Sequence, residues 1–73
     1  MPFPEWRAQL AIANGDEDRA RAIAAGITQH HRDNFGGRRG TKRLAAAEVA
    51  KELNITVEEI GEILARARLP PVR

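Results

Sequence analysis

The stretch Glu48-Val49-Ala50-Lys51-Glu52-Leu53-Asn54-Ile55-Thr56-Val57-Glu58-Glu59-Ile60-Gly61-Glu62-Ile63-Leu64 decides the fold. Apolar residues recur with helical spacing at Val49, Ala50 and Leu53, pause at Asn54, resume at Ile55, and return with the same period at Ile60, Ile63 and Leu64. Two short helices therefore meet at a tight turn. Thr56 is a good N-cap, and Glu59 three residues later completes a capping box, so the second helix begins at Val57. Ala50 sits where the helices cross, at a position where a larger side chain would push them apart. A small residue, a turn and three placed aliphatics coincide here in the helix-turn-helix pattern.

Downstream, the second of these helices is expected to run from Val57 to about Arg68. Pro70-Pro71 forbids continuation and biases Leu69 to an extended conformation. Upstream, Phe35-Gly36-Gly37-Arg38-Arg39-Gly40-Thr41-Lys42-Arg43 breaks the periodicity, because three glycines in five positions do not hold a helix. The segment reads as a mobile, basic loop. The helix that follows starts between Thr41, a possible cap, and Ala45; the Ala45-Ala46-Ala47 run favours helix either way, and it ends at Leu53.

The N-terminal part reads as two further helices. Pro4 is pre-set for a first helical turn and Phe3 is placed to fold back on it as a staple; Trp6, Leu10 and Ala13 then share one face. Asn14-Gly15 ends this helix near residue 14. Asp16 is the natural N-cap of the next, with Glu17 and Asp18 complementing its positive end. That helix is expected from about Glu17 to about Asp33. Ala20, Ile23, Ala24 and Ile27 form its apolar face, continued more weakly by His31 and Asn34.

The expected architecture is an all-α, four-helix single domain over residues 1–73. A helical hairpin, 1–34, and a basic Gly-rich loop, 35–43, precede the helix-turn-helix of 44–73, on which the hairpin packs. Core candidates are Trp6, Leu10, Ile23, Ile27, Leu44, Val49, Leu53, Ile55, Ile60, Ile63, Leu64 and Leu69. A chain of 73 residues buries a modest core and is marginally stable unless its helices pack well. With no cysteine there is neither a disulfide framework nor a cysteine zinc site, and no apolar run has the character of a secretory signal or membrane span. The expectation is a cytoplasmic protein without a cofactor or a membrane partner.

A net charge of +2 hides strong segregation. By segment the formal charge is −1 over 1–30, +4 over 31–43, −4 over 44–65 and +3 over 66–73. The helix-turn-helix is itself acidic and is flanked by two basic segments.

Leu44-Ala45-Ala46-Ala47-Glu48-Val49-Ala50, Leu53-Asn54-Ile55-Thr56 and Leu69-Pro70-Pro71-Val72-Arg73 together resemble the excisionase-like members of the MerR superfamily of winged helix-turn-helix proteins. In that family a leucine opens the segment, a Glu-Val-Ala triplet lies on the first helix, a Ser or Thr caps the second, and a Leu-Pro-x-Val-Arg stretch leads into a β-wing. The match covers residues 44–73. It implies a small DNA-binding regulator of transcription or recombination whose wing is truncated, since the sequence ends at Arg73. On the resemblance, Val57, Glu58, Gly61, Glu62 and Ala65 occupy the face that would enter a major groove. The family usually presents Arg, Thr, Tyr or Lys there, and Asn54 takes a turn position often held by Gly.

Two carboxylates near phosphates oppose the electrostatic attraction that supplies most non-specific DNA affinity, although a carboxylate can accept a hydrogen bond from cytosine. The expected phosphate contacts are therefore Arg38, Arg39, Lys42 and Arg43 before the motif and Arg66, Arg68 and Arg73 after it. The Gly-rich loop suits such contacts, because glycine lets the backbone approach and arginine supplies charge; the alternative is a solvated linker. Double-stranded DNA is thus the first-choice partner. The other reading is a protein-binding regulator, an antiactivator or DNA mimic, that docks its acidic helix-turn-helix face on a transcription activator.

The remaining residues carry less. Adjacent histidines on a helix point about 100° apart, so His30-His31 reads as one packed and one exposed side chain rather than a metal site. Trp6 reads as a core anchor rather than a base-stacking platform. Glu59 is spoken for by the cap. With no Ser, Cys or Tyr in the sequence, the inventory for catalysis is thin, and the chain does not read as an enzyme.

Overall fold

Each helix forms where a start signal meets an apolar stripe. In a computed structural model that describes residues 5–72, four helices form and no strand does: α1 (Glu5–Ala11), α2 (Asp16–Phe35), α3 (Lys42–Leu53) and α4 (Val57–Arg66). The all-α, four-helix domain expected from the sequence is the architecture observed. The Phe3 staple and Pro4 lie outside the described residues. No described helix is long and apolar enough to cross a membrane.

The 20-residue α2 is the hub, packing on α1, α3 and α4, whereas α3 and α4 pack on each other across the turn. The hairpin thus packs on the helix-turn-helix through α2. Helix α1 packs on α2 and reaches α3 through an ion pair between Arg7 and Glu52. The core contains Trp6 from α1, Ile23 and Ile27 from α2, Ala45, Ala46, Val49 and Ala50 from α3, and Ile60 and Leu64 from α4. Leu10, Phe35, Leu53, Ile55, Ile63, Leu69 and Val72 close around it, half-buried.

Leu44 is not a core residue; it is 54% exposed. The buried stripe of α3 runs through Ala45, Ala46, Val49 and Ala50, and Leu44 lies one residue, about 100°, off its edge. Small side chains on that stripe let α2 and α3 approach closely, and sequence reasoning had credited the larger Leu44 instead. Leu53, a core candidate, packs against the core but is half-buried, being the last residue of α3.

Helix ends account for the other differences. Helix α1 stops at Ala11, where the Ala13 N–H closes a tighter turn onto the Leu10 carbonyl at 3.2 Å. Gly15, not Asp16, occupies the N-cap of α2, since its carbonyl already accepts from the Arg19 N–H at 3.1 Å. Its φ of 106° suits glycine alone. Asp16, Glu17 and Asp18 then sit inside the first turn, where they act through charge on the positive helix end rather than as a side-chain cap.

The turn between α3 and α4 is as expected. Asn54 is left-handed at φ 58°, with the Ile55 N–H returning to the Ala50 carbonyl at 3.0 Å. Thr56 Oγ1 accepts from the Glu59 N–H at 3.0 Å while the Glu59 carboxylate accepts from the Thr56 N–H at 3.4 Å, completing the capping box. Helix α4 ends at Arg66, earlier than expected. Arg68 takes the left-handed conformation at φ 59°, its N–H bonding Ala65 and the Leu69 N–H bonding Leu64 at 2.9 Å.

Candidate nucleic-acid interface

The basic connection is shorter than 35–43. Phe35 ends α2, Lys42 and Arg43 begin α3, and the connection between them is 36–41. Gly36 and Gly37, both left-handed, turn the chain, each donating its N–H to the His31 carbonyl. The Arg38 N–H then bonds the Phe35 carbonyl at 3.1 Å.

The turn is organised on the Arg38 carbonyl. It accepts from the Thr41 N–H at 3.2 Å, from the Thr41 hydroxyl at 2.6 Å and from His31 Nε2 at 2.8 Å. A carbonyl oxygen only accepts, so Nε2 of His31 carries the hydrogen; it also lies 3.0 Å from Thr41 Oγ1. Thr41 therefore occupies the N-cap position of α3 without capping it through its side chain, because its hydroxyl is committed to Arg38. These bonds tie the backbone between Phe35 and Lys42 to His31 and Thr41, and Arg38, Arg39 and Arg43 extend from it exposed.

Lys42 is half-buried, and it connects this turn to the other basic segment. Because Arg68 reverses the chain after α4, Leu69 and Val72 fold back on the core. Leu69, Pro70, Pro71 and Val72 then line, with Lys42, Ile27 and Leu64, an apolar groove of about 230 Å³. One residue of the first basic segment, Lys42, is thus beside residues 69–72 of the second. Arg68 is exposed at the start of this return, and Arg73 lies outside the described residues. Arg66 stands elsewhere, 4.0 Å from Glu62 and in a groove with Asp16, Arg19 and Glu59.

Val57, Glu58, Gly61, Glu62 and Ala65 share one exposed face of α4, opposite buried Ile60 and Leu64. Val57 is 44% exposed, and a β-carbon built on Gly61 would meet nothing within 4 Å. Among the described residues no ion pair engages Glu58.

The histidines have separate structural roles, and both are half-buried rather than one packed and one exposed. Asn34 Nδ2 donates to His30 Nδ1 at 2.8 Å, which leaves Nε2 to face Glu52 at 3.4 Å. Glu52 also pairs with Arg7, and Asn34 reaches Glu48 at 3.4 Å, so one polar network joins α1, α2 and α3. Trp6 meets the His30 ring edge-on, with centroids 6.2 Å apart, and is buried as a core anchor. Sequence reasoning missed the role of His31 in pinning the basic turn. Its distance from Thr41, ten residues on, leaves no local signal except a histidine near the end of a helix that precedes the turn.

Compared with protein families, with curated proteins and with solved structures, the chain matches none.

Proposed function

We propose that this chain is a small helix-turn-helix regulator of transcription or recombination that binds double-stranded DNA mainly through its phosphates. The observation that carries the reading is the turn bonded on the Arg38 carbonyl, from which Arg38, Arg39 and Arg43 extend exposed. A pre-ordered turn loses less conformational entropy on binding than a mobile loop would. Phosphate contacts of this kind set position and affinity but carry no base sequence. The resemblance of residues 44–73 to excisionase-like proteins supports the same reading.

Titration against mixed-sequence duplex at about 50 mM and 200 mM salt tests it, since log K should fall with log salt by roughly 0.9 per phosphate neutralised. Absence of binding at the lower salt rejects the reading.

The exposed face of α4 favours a second reading, a protein-binding antiactivator or DNA mimic docked on a transcription activator. Glu58 and Glu62 repel phosphate, while exposed Val57 and the open space over Gly61 suit contact with a partner. Reversing Glu58 and Glu62 to Lys separates the two: DNA affinity rises in the first case, and the complex with a basic protein is lost in the second.

A further inference from the structure

We propose that Asn14 is a site of spontaneous covalent modification, converted to aspartate and isoaspartate through the backbone nitrogen of Gly15, and that the isoaspartyl product loosens α1. The inference is independent of the DNA reading. In the reaction the Gly15 amide nitrogen loses its proton to solvent base and attacks Cγ of Asn14. A C–N bond forms, the side-chain amide leaves as ammonia, and a five-membered succinimide results. Water then opens the ring at either carbonyl, giving aspartate or, with the backbone rerouted through the side chain, isoaspartate. No oxidant or reductant is required.

The structure separates Asn14 from the two other asparagines. Asn14 is exposed between α1 and α2, and the N–H of Gly15 makes none of the backbone hydrogen bonds found among the described residues of that connection. Gly15 has no side chain to hinder attack, and its φ of 106° explains why glycine stands there. Asn34 lies within α2, where the following N–H is committed to the helix and its own amide is engaged by His30 and Glu48. Asn54 is followed by β-branched Ile55, whose N–H is bonded to the Ala50 carbonyl at 3.0 Å. Only at residue 14 are the nucleophile and the amide both free.

The consequence follows from the geometry of α1. Residues 12–15 connect α2 to α1, whose Trp6 lies against Gly26 of α2. An isoaspartyl linkage lengthens it by one backbone methylene.

The test is to age the folded protein at neutral pH and map its tryptic peptides by mass, with isoaspartyl methyltransferase labelling as a second readout. The peptide 8–19 should gain the mass of one amide-to-acid exchange at a similar rate with or without denaturant. Peptides holding Asn34 and Asn54 should keep their amides over the same period in the folded protein. The aged fraction should also release Trp6, followed by its fluorescence, at lower denaturant than fresh protein or aged Asn14→Gln. Persistence of the Asn14 amide in the folded protein while it converts in denaturant, or labelling that survives Asn14→Gln, overturns the site. Equal Trp6 midpoints overturn the loosening of α1.

Discussion

The indole of Trp6 lies against the backbone of Gly26: a β-carbon on residue 26 would stand 2.5 Å from Trp6 Cδ2 and 2.8 Å from Cε3. This contact sets the spacing of α1 and α2, and it makes a sharp prediction. Gly26→Ala adds helix propensity of about 1 kcal/mol, but overpacking of this kind costs about 1–3 kcal/mol, so a net loss is expected. Gly61→Ala is the matched control. With nothing within 4 Å of its β-carbon, it should stabilise α4 by up to about 1 kcal/mol. Urea denaturation of both variants checks the pair, and a stabilised Gly26→Ala would show that α1 shifts freely on α2.

The core is expected to respond unequally along α3 and α4. Ile60 is 1% exposed, and Ile60→Ala should cost about 2–5 kcal/mol, enough to unfold much of a marginally stable domain. Leu53→Ala, at a half-buried helix end, should cost less. Thermal melts that rank the two in the opposite order would refute this account of the core.

The capping box at the start of α4 is worth a separate measurement. Thr56→Ala leaves the Glu59 N–H without its side-chain acceptor and should lower stability by about 0.5–2 kcal/mol. Thr41→Ala should behave differently, because the Thr41 hydroxyl holds the Arg38 carbonyl rather than capping α3. Its expected signature is faster amide hydrogen exchange at residues 38–41. Unchanged exchange there would mean that the hydroxyl does not order the turn.

Arg68 occupies a left-handed conformation that costs a non-glycine residue about 1 kcal/mol or more. Arg68→Gly should therefore stabilise the fold by a few tenths to about 1 kcal/mol, partly offset by the greater freedom of glycine in the unfolded chain. If Arg68 also contacts phosphate, the same variant should bind duplex more weakly, with its salt slope reduced by roughly one. Opposite signs for stability and affinity would be distinctive, and a destabilised variant would contradict the role given to the reversal.

Arg38→Ala, Arg39→Ala and Arg43→Ala should each weaken binding to unrelated duplexes by similar factors and lower the salt slope by roughly one. His31→Ala, which removes no fixed charge from the loop, should weaken DNA binding by unpinning the turn. Equal affinity for His31→Ala and the parent protein would show that order in the turn does not contribute.

Local chemistry was enough to determine the all-α class, the helix-turn-helix and its capping box, because periodicity, a Thr-Glu pair and a left-handed Asn act over a few residues. The α4 face of Val57, Glu58, Gly61, Glu62 and Ala65 was expected on the family resemblance, and these residues are exposed. Periodicity also placed Val49 and Ala50 on the buried side of α3, whereas only the tertiary structure decided that Ala45 and Ala46 belong to that side and Leu44 does not. It also decided how the basic turn is bonded, because His31 and Thr41 meet on the Arg38 carbonyl only once α2 and α3 are packed. The return of Leu69 to Val72 beside Lys42 depends likewise on an apolar core that exists only in the folded chain, where burying Leu69 and Val72 helps offset the left-handed backbone of Arg68.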